Sequence, residues 1–134
     1  MTDGAHVFPV RVYWEDTDAS GIVYHASYLR FAERARTEML RLLGIGQAAL
    51  MDGSGVAFAV RRCAIEYLAP ARLDDALDVV SRVVELRGAS LGMAQRVERD
   101  GKALAELDLR LACIDRQGRA TRVPAAVRAA FEVE

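Results

Sequence analysis

A single stretch with the helical period, residues 25–43, lies among strand-like segments and constrains the fold more than any other feature of this chain. Its apolar residues recur at steps of three and four, while charged residues fill the opposite side, which predicts an amphipathic helix. Gly44 and Gly46 follow the last apolar positions and predict the helix C-terminus, because glycine readily adopts positive φ angles. The predicted apolar stripe consists of Tyr28, Phe31, Ala32, Ala35, Met39 and Leu42.

Alternation of apolar and polar residues predicts five strands around this helix. Asp100 and Gly101 lie between the last two strands and predict a two-residue hairpin, because both turn positions require positive φ. The order β-α-β-β-β-β predicts one α+β domain over residues 1–134, with the helix packed on an antiparallel sheet. One helix covers only one sheet face, and residues 76–86 are apolar on both, so we expect a homo-oligomer. The predicted strands are residues 7–14, 56–68, 77–86, 91–99 and 103–115.

Charge and hydropathy exclude several classes of protein. A net charge of -1 and a pI near 6.1 provide no basic surplus for a phosphate backbone, so nucleic acid is not an expected partner. No apolar run approaches about 18 residues and no leader pattern opens the chain, so we expect a soluble, unprocessed protein and not a membrane protein. Cys63 and Cys113 indicate reduced thiols in a cytoplasmic protein. Neither they nor His6 and His25 have the spacing of a metal site.

The segment EDTDASGIVYHASY, residues 15–28, gathers acids, a glycine and a histidine where the first strand should end and the helix begin. Asp16 and Asp18 would point to the same side if the strand continued through them. Gly21 permits a tight turn, and the first amides of the following helix lack intrahelical acceptors and favour negative charge. A carboxylate near such N–H groups can attack a carbonyl, or activate water to do so, while the N–H groups stabilise the oxyanion. The loop could therefore support acyl transfer.

Each residue of this loop also has a structural interpretation. Asp18, followed by Ala-Ser-Gly, is typical of a turn in which the carboxylate bonds its own backbone. His25 could be a general acid or base, or a hydrogen-bonded structural side chain. Tyr24 and Tyr28 could line the core or a pocket. The residue pattern by itself leaves these alternatives open.

A family resemblance extends from residue 7 to residue 131 of the chain. Residues 11–24, RVYWEDTDASGIVY, resemble the signature of the hotdog-fold 4-hydroxybenzoyl-CoA thioesterase group. The stretches HASYLRFAERARTEML at 25–40, RRCAIEYLAPARLDD at 61–75 and RGAS at 87–90 resemble the bacterial Tol-Pal-associated acyl-CoA thioesterases. The resemblance implies a hotdog fold, in which a five- or six-stranded antiparallel sheet wraps a long central helix. It also implies acyl-CoA hydrolysis without a metal or a bound cofactor, with coenzyme A entering as part of the substrate.

The same resemblance assigns roles within the loop. The aspartate of the D-x-x-G element is Asp18, which implies that Asp18, and not Asp16, is the nucleophile or the general base. The position whose N–H meets the thioester oxygen is His25, so the resemblance implies a role for its amide. The His25 imidazole could add substrate positioning or proton transfer. A histidine after Tyr24 is typical of the Tol-Pal-associated branch.

The phosphates of coenzyme A require basic groups or N–H donors. The resemblance locates these around the RGAS element, although Arg87 could equally be a solvated surface residue. Arg61 and Arg62 interrupt an apolar strand. They could line the site, or they could form an ion pair with another chain. The candidate substrate-binding residues are Gly21, Tyr24, Tyr28, Arg87, Gly88 and Ser90.

The resemblance further implies a site shared between two chains of a homodimer or homotetramer, and it leaves acyl carrier protein open as a partner. Two other functions remain as alternatives. A hotdog hydratase or dehydratase would need an acid–base pair acting at the β-carbon. A non-catalytic module would only bind an acyl thioester or acyl carrier protein. The residues do not specify whether the acyl group is short, long or aromatic.

Overall fold

Five antiparallel strands form one sheet, and a long helix packs across one of its faces. The computed structural model describes residues 4–132, so the ends of the predicted domain, residues 1–3 and 133–134, lie outside the described residues. The strands are β1 His6–Arg11, β2 Ala57–Tyr67, β3 Ala76–Leu86, β4 Ser90–Arg99 and β5 Lys102–Ile114. The helices are α1 Ser27–Leu42, α2 Gln47–Gly53 and α3 Ala125–Glu132. The spatial strand order is β1-β3-β4-β5-β2, which confirms the predicted α+β class and antiparallel sheet.

The predicted hairpin between β4 and β5 is confirmed. Asp100 and Gly101 have φ angles of 53° and 80°, the positive values that a two-residue turn of this kind requires. Arg99 and Lys102 pair directly across it. Beyond the turn, the leucines of β5 point into the core and the alternating charged residues point to solvent. The turn and the alternation together set the register of the sheet centre.

Helix α1 buries its apolar stripe against the sheet. Phe31, Ala32 and Ala35 are fully buried, as predicted. Leu42 is an exception, because it lies in the last turn of the helix and is 65% exposed. Gly44 ends the helix with a φ of 77°, and its N–H donates to the Arg41 carbonyl at 3.0 Å, as expected for a helix C-terminus.

The first strand is shorter than predicted, and this changes the geometry of the acidic loop. Strand β1 ends at Arg11, and Trp14–Asp16 form one turn of 3-10 helix. The Asp16 N–H closes this turn on the Tyr13 carbonyl at 3.0 Å. The interpretation in which two acids share one side of a continuing strand is therefore wrong. Asp16 is only 4% exposed, whereas Asp18 is exposed.

Two short helices occur where the sequence analysis predicted none. Helix α2 lies between α1 and β2, and its Leu50 is buried in the core. Helix α3 buries Val127 completely. Helices of seven and eight residues are too short for their period to be distinguished from other short apolar runs. No helix in the described part of the chain is long and apolar enough to span a membrane.

A buried polar network ties α1 to the sheet. The Gln95 amide nitrogen donates to the Ala32 carbonyl at 3.0 Å and to the Ser81 hydroxyl at 2.9 Å. Its carbonyl oxygen accepts a 2.9 Å bond from Arg36. Burial lowers the pKa of the Arg36 guanidinium, so this cation depends on its hydrogen-bond partner. The network satisfies polar groups that would otherwise be buried without partners.

Strand β2 forms an exposed edge of the sheet. Val60 and Tyr67 are large and about half exposed on it, and an edge strand carries unpaired N–H and C=O groups. The second face of β3 is more polar than predicted, because Asp78 and Arg82 share it with the exposed Val84. The exposed β2 edge therefore supports the prediction of a homo-oligomer better than the outer face of β3 does.

Candidate active site

A tight turn presents Asp18 to solvent. The Asp18 N–H donates to the Ile22 carbonyl at 2.9 Å, and the Gly21 N–H donates to the Asp18 carbonyl at 3.2 Å. Gly21 has a φ of 84°, a conformation that glycine adopts without steric cost. The role of Gly21 in this turn is therefore to shape the backbone, and the Asp18 side chain lies at its exposed tip.

Ser20 is a residue of this site that the sequence analysis missed. Its N–H and its hydroxyl both donate to Oδ1 of Asp18, at 2.8 and 2.6 Å. The hydroxyl bond and the main-chain bond from Ser20 lower the pKa of the Asp18 carboxyl, because both stabilise its anion. Oδ2 of Asp18 takes part in neither bond. The Asp-x-Ser spacing, typical of a side-chain turn, is the signal that could have identified this pair.

Asp16 holds the loop together from inside. Its Oδ2 accepts a 2.9 Å hydrogen bond from the Tyr13 N–H. Its main-chain carbonyl accepts bonds from the Tyr24 N–H at 2.9 Å and from the Ser27 hydroxyl at 3.3 Å. The buried carboxylate therefore braces the 3-10 turn, and the main-chain carbonyl links this turn to the start of α1.

The start of α1 presents two free backbone amides. The helix begins at Ser27, whose N–H donates to the Tyr24 carbonyl at 2.8 Å. Within residues 4–132, neither the His25 N–H nor the Ala26 N–H has a hydrogen-bond acceptor. Such amides at the positive end of a helix dipole favour an anion. The imidazole of His25 is exposed.

An apolar groove of about 390 Å³ opens beside these amides. The Tyr28 hydroxyl accepts a 3.0 Å bond from the Ala71 N–H, and burial raises the pKa of that hydroxyl. Tyr24 is half exposed, and its ring contacts the His25 ring at a tilt, with the centroids 4.4 Å apart. The Tyr67 ring lies 5.4 Å from Tyr28. The groove is lined by Ile22, Val23, His25, Tyr28, Tyr67, Leu68, Ala69 and Pro70.

The other predicted binding residues lie at the opposite end of the sheet. Strand β3 begins beside the acidic loop, where Ile22 pairs with Arg72, and it ends just before the hairpin that carries Arg87 and Ser90. Because β3 has 11 residues, its ends are roughly 35 Å apart at about 3.3 Å per residue. One chain therefore does not bring this hairpin close to Asp18.

The hairpin residues differ in their surroundings. Arg87 is exposed and lies 3.2 Å from Glu85. Gly88 is exposed, and its carbonyl accepts a 2.8 Å bond from Val123. Ser90 is buried, and its carbonyl accepts a 2.8 Å bond from the Arg87 N–H. Of these three residues, only Arg87 extends a charged side chain into solvent.

A more enclosed cavity of about 160 Å³ lies at this hairpin end, between the second half of α1 and the sheet. Its walls include Met39, Phe58, Leu91 and Phe131, and Arg36 lies at its polar side. Arg61 and Arg62 lie on the exposed edge strand β2, outside both cavities. In the part of the chain that the structure describes, no three His, Cys, Asp or Glu side chains form a group that could hold a metal ion.

Comparison with known proteins identifies relatives over nearly the whole chain. A family model described as the thioesterase-like superfamily matches residues 12–131. The acyl-CoA thioesterase YbgC of Haemophilus influenzae is 46% identical over 98% of this chain and 97% of its own length. The acyl-CoA thioester hydrolase YbgC of Escherichia coli is 52% identical over 81% of each chain. The crystal structure of a probable thioesterase from Bartonella henselae has a TM-score of 0.87 and 37% identity, covering 90% of this chain and 99% of that one.

Proposed function

The chain belongs to the thioesterase-like superfamily, and on this basis we propose that it is an acyl-CoA thioesterase, which hydrolyses an acyl-CoA to a free acid and coenzyme A. Relatives that share about half of its residues carry that activity in their names. One observation carries the proposal. The loop that presents the exposed Asp18 carboxylate leads directly to two backbone amides that have no acceptor within residues 4–132.

Asp18 performs the first chemical step. As a nucleophile it attacks the thioester carbonyl and expels the coenzyme A thiolate, and water then hydrolyses the mixed anhydride. As a general base it takes a proton from a water that attacks the same carbon. Hydrogen bonds from Ser20 lower the pKa of Asp18, which keeps the carboxylate ionised, as both routes require. Neither route requires a metal or a bound cofactor.

The free amides of His25 and Ala26 stabilise the charge that develops on the thioester oxygen. Preorganised N–H donors act most strongly where charge appears in the transition state, because they need no reorganisation at that moment. The His25 imidazole and Tyr24 lie on the exposed side of the same segment and orient the substrate. The groove beside them receives the part of the substrate next to the reacting carbon.

The complete site is formed by two chains. Asp18 and the hairpin with Arg87 lie at opposite ends of β3, so both can reach one substrate only if the hairpin comes from a second copy. Antiparallel pairing of two β2 edges achieves this, because it brings the Tyr67 end of one strand beside the Ala57 end of its partner. Strand β5 links that end of β2 to the hairpin, since Ala57 pairs with Ile114 and Ser90 pairs with Ala112.

In this arrangement the hairpin binds the nucleotide end of coenzyme A. Arg87 provides a guanidinium for phosphate, and Gly88 and Ser90 provide polar groups at the turn. The protein acts in the cytoplasm as a homodimer or a pair of such dimers. The histidine after Tyr24, His25, supports membership of the Tol-Pal-associated branch. Acyl carrier protein is a further candidate partner.

Turnover of a substrate panel tests the proposed function. The purified protein is incubated with short, long and aromatic acyl-CoAs, and free thiol is measured as kcat/KM for each. We expect thiol release with at least one class. Binding of acyl-CoA without thiol release would instead identify a binding module. Hydration of an enoyl-CoA without thiol release would identify a hydratase.

A further inference from the structure

We propose that Tyr67 is a positioning residue for this hydrolysis, because its hydroxyl holds the His25–Ala26 peptide so that the Ala26 N–H can serve as a second oxyanion donor. The inference rests on the proposed function, since it assigns a residue to the same site. Tyr67 is 42 residues away from His25 in sequence, and its hydroxyl donates to the His25 carbonyl at 2.8 Å. The assignment concerns the hydroxyl and not the ring.

Planarity of the peptide transmits this contact to the amide. The His25 carbonyl and the Ala26 N–H belong to one rigid peptide group and point in opposite directions. A hydrogen bond that fixes the carbonyl therefore also fixes the direction of the N–H. The preceding peptide is fixed in the same way, because the Tyr24 carbonyl accepts a 2.8 Å bond from Ser27. Two consecutive peptides are thus held by their carbonyls, and both N–H groups remain available.

The helix start provides no other restraint on the second peptide. Ala26 is the N-cap residue of α1, and it makes no side-chain capping bond. A Ser, Thr, Asp or Asn at this position would accept a hydrogen bond from the N–H of the second or third helical residue, so such a cap would not hold the His25–Ala26 peptide. Among the described residues, the Tyr67 hydroxyl is the side-chain group that bonds this peptide, and it comes from another part of the fold.

Tyr67 is itself held firmly enough to act as a restraint. It is the last residue of β2, and the next residue, Leu68, donates to the Leu104 carbonyl at 2.8 Å. Its ring lies at a steep angle to Tyr28, with centroids 5.4 Å apart, and edge-on to His25 at 6.4 Å. Partial burial raises the pKa of the Tyr67 hydroxyl, so the group keeps its proton and donates at neutral pH.

Tyr67→Phe tests the proposal, because it removes the hydroxyl and retains the ring. We expect kcat to fall by at least about tenfold, since misoriented oxyanion donors lose part of their transition-state stabilisation. KM should stay within about twofold, and the acidic limb of the pH profile should not move, because Asp18 is untouched. Tyr13→Phe is the matched control, as an exposed tyrosine outside the site, and it should retain normal kinetics.

The outcomes separate this proposal from the proposed function. Thiol release by the wild type together with an unchanged kcat in Tyr67→Phe would overturn the positioning role alone. A fall in kcat with an equal rise in KM would also overturn the positioning role, because it would indicate general damage to the groove. A fall in kcat together with a melting temperature lowered by more than about 5 °C would overturn it for the same reason. Failure of the wild type to release thiol from any acyl-CoA would overturn the proposed function itself.

Discussion

Ser20 holds a single oxygen of Asp18 with two hydrogen bonds, one from its main-chain N–H at 2.8 Å and one from its hydroxyl at 2.6 Å. Both partners belong to the same turn, so the carboxylate is oriented locally and does not depend on distant packing. The arrangement keeps Oδ1 occupied and leaves Oδ2 outside these bonds. It also lowers the pKa of Asp18, which keeps the carboxylate ionised well into the acidic range.

Ser20→Ala is predicted to move the acidic limb of the kcat/KM profile to higher pH. The reaction uses the Asp18 anion, so activity is present above the pKa of Asp18 and is lost below it. The hydroxyl of Ser20 is the largest contribution that lowers this pKa, and its removal must raise the pKa toward the ordinary value. A pH series of kcat/KM on one acyl-CoA measures the shift. A limb that stays in place or moves to lower pH would show that Ser20 does not control this group.

Asp16→Ala is predicted to destabilise the protein by about 1–2 kcal/mol, because it removes a buried side chain and leaves the partly buried Tyr13 N–H without its acceptor. Denaturant unfolding monitored by circular dichroism measures the free energy of unfolding. Asp52→Ala is the control, since this exposed acid lies on the surface of α2 and its loss should cost less than about 0.5 kcal/mol. Equal stabilities of the two variants would contradict the structural role of Asp16.

Gln95→Ala is predicted to cost about 2–4 kcal/mol of folding stability. The change removes the hydrogen-bond partner of Arg36 and two donors that tie Ala32 and Ser81 to β4, and buried polar groups that lose their partners are costly. Gln117→Ala, in an exposed turn, is the matched control for the same chemical change. A Gln95 variant as stable as this control would mean that the network does not hold α1 on the sheet.

Subunit hybrids test whether the site is shared between chains. Asp18→Asn and Arg87→Glu are each expected to be nearly inactive at low substrate concentration. Coexpression of both variants with different tags yields mixed dimers, in which one of the two sites is intact. If the chains mix at random, about a quarter of the sites should then be active. Activity that does not exceed the sum of the separate variants would indicate a site formed within one chain.

Sequence patterns predicted the parts of this fold that depend on local chemistry. Strands β2 to β5 agree with the prediction to within one or two residues, because alternation is clear and Asp100 and Gly101 define the turn between two of them. The 3-10 turn at Trp14–Asp16 was missed because these residues continue the composition of a strand. This turn buries Asp16 and leaves Asp18 exposed, and the spacing of the two residues in the sequence does not indicate that difference.

The site was less predictable than the fold, because its parts come together through long-range contacts. Gly21 and the start of α1 were predicted from the loop itself, and family resemblance distinguished Asp18 from Asp16. The hydrogen bond from Tyr67 to His25 spans 42 residues, and no local pattern indicates it. The separation of Arg87 from the acidic loop follows from strand pairing, which sequence spacing does not specify.

Asp18 carries out the chemistry in the proposed reaction, and this role is tested by comparing Asp18→Asn with Asp16→Asn on the best acyl-CoA of the panel. An amide preserves the shape of each side chain but is neither a base nor an effective nucleophile. We predict that Asp18→Asn lowers kcat by at least about a hundredfold with folding intact, whereas Asp16→Asn, which keeps an oxygen acceptor for Tyr13, retains most of the activity. Near-normal turnover by Asp18→Asn, or a greater loss in Asp16→Asn, would contradict the account.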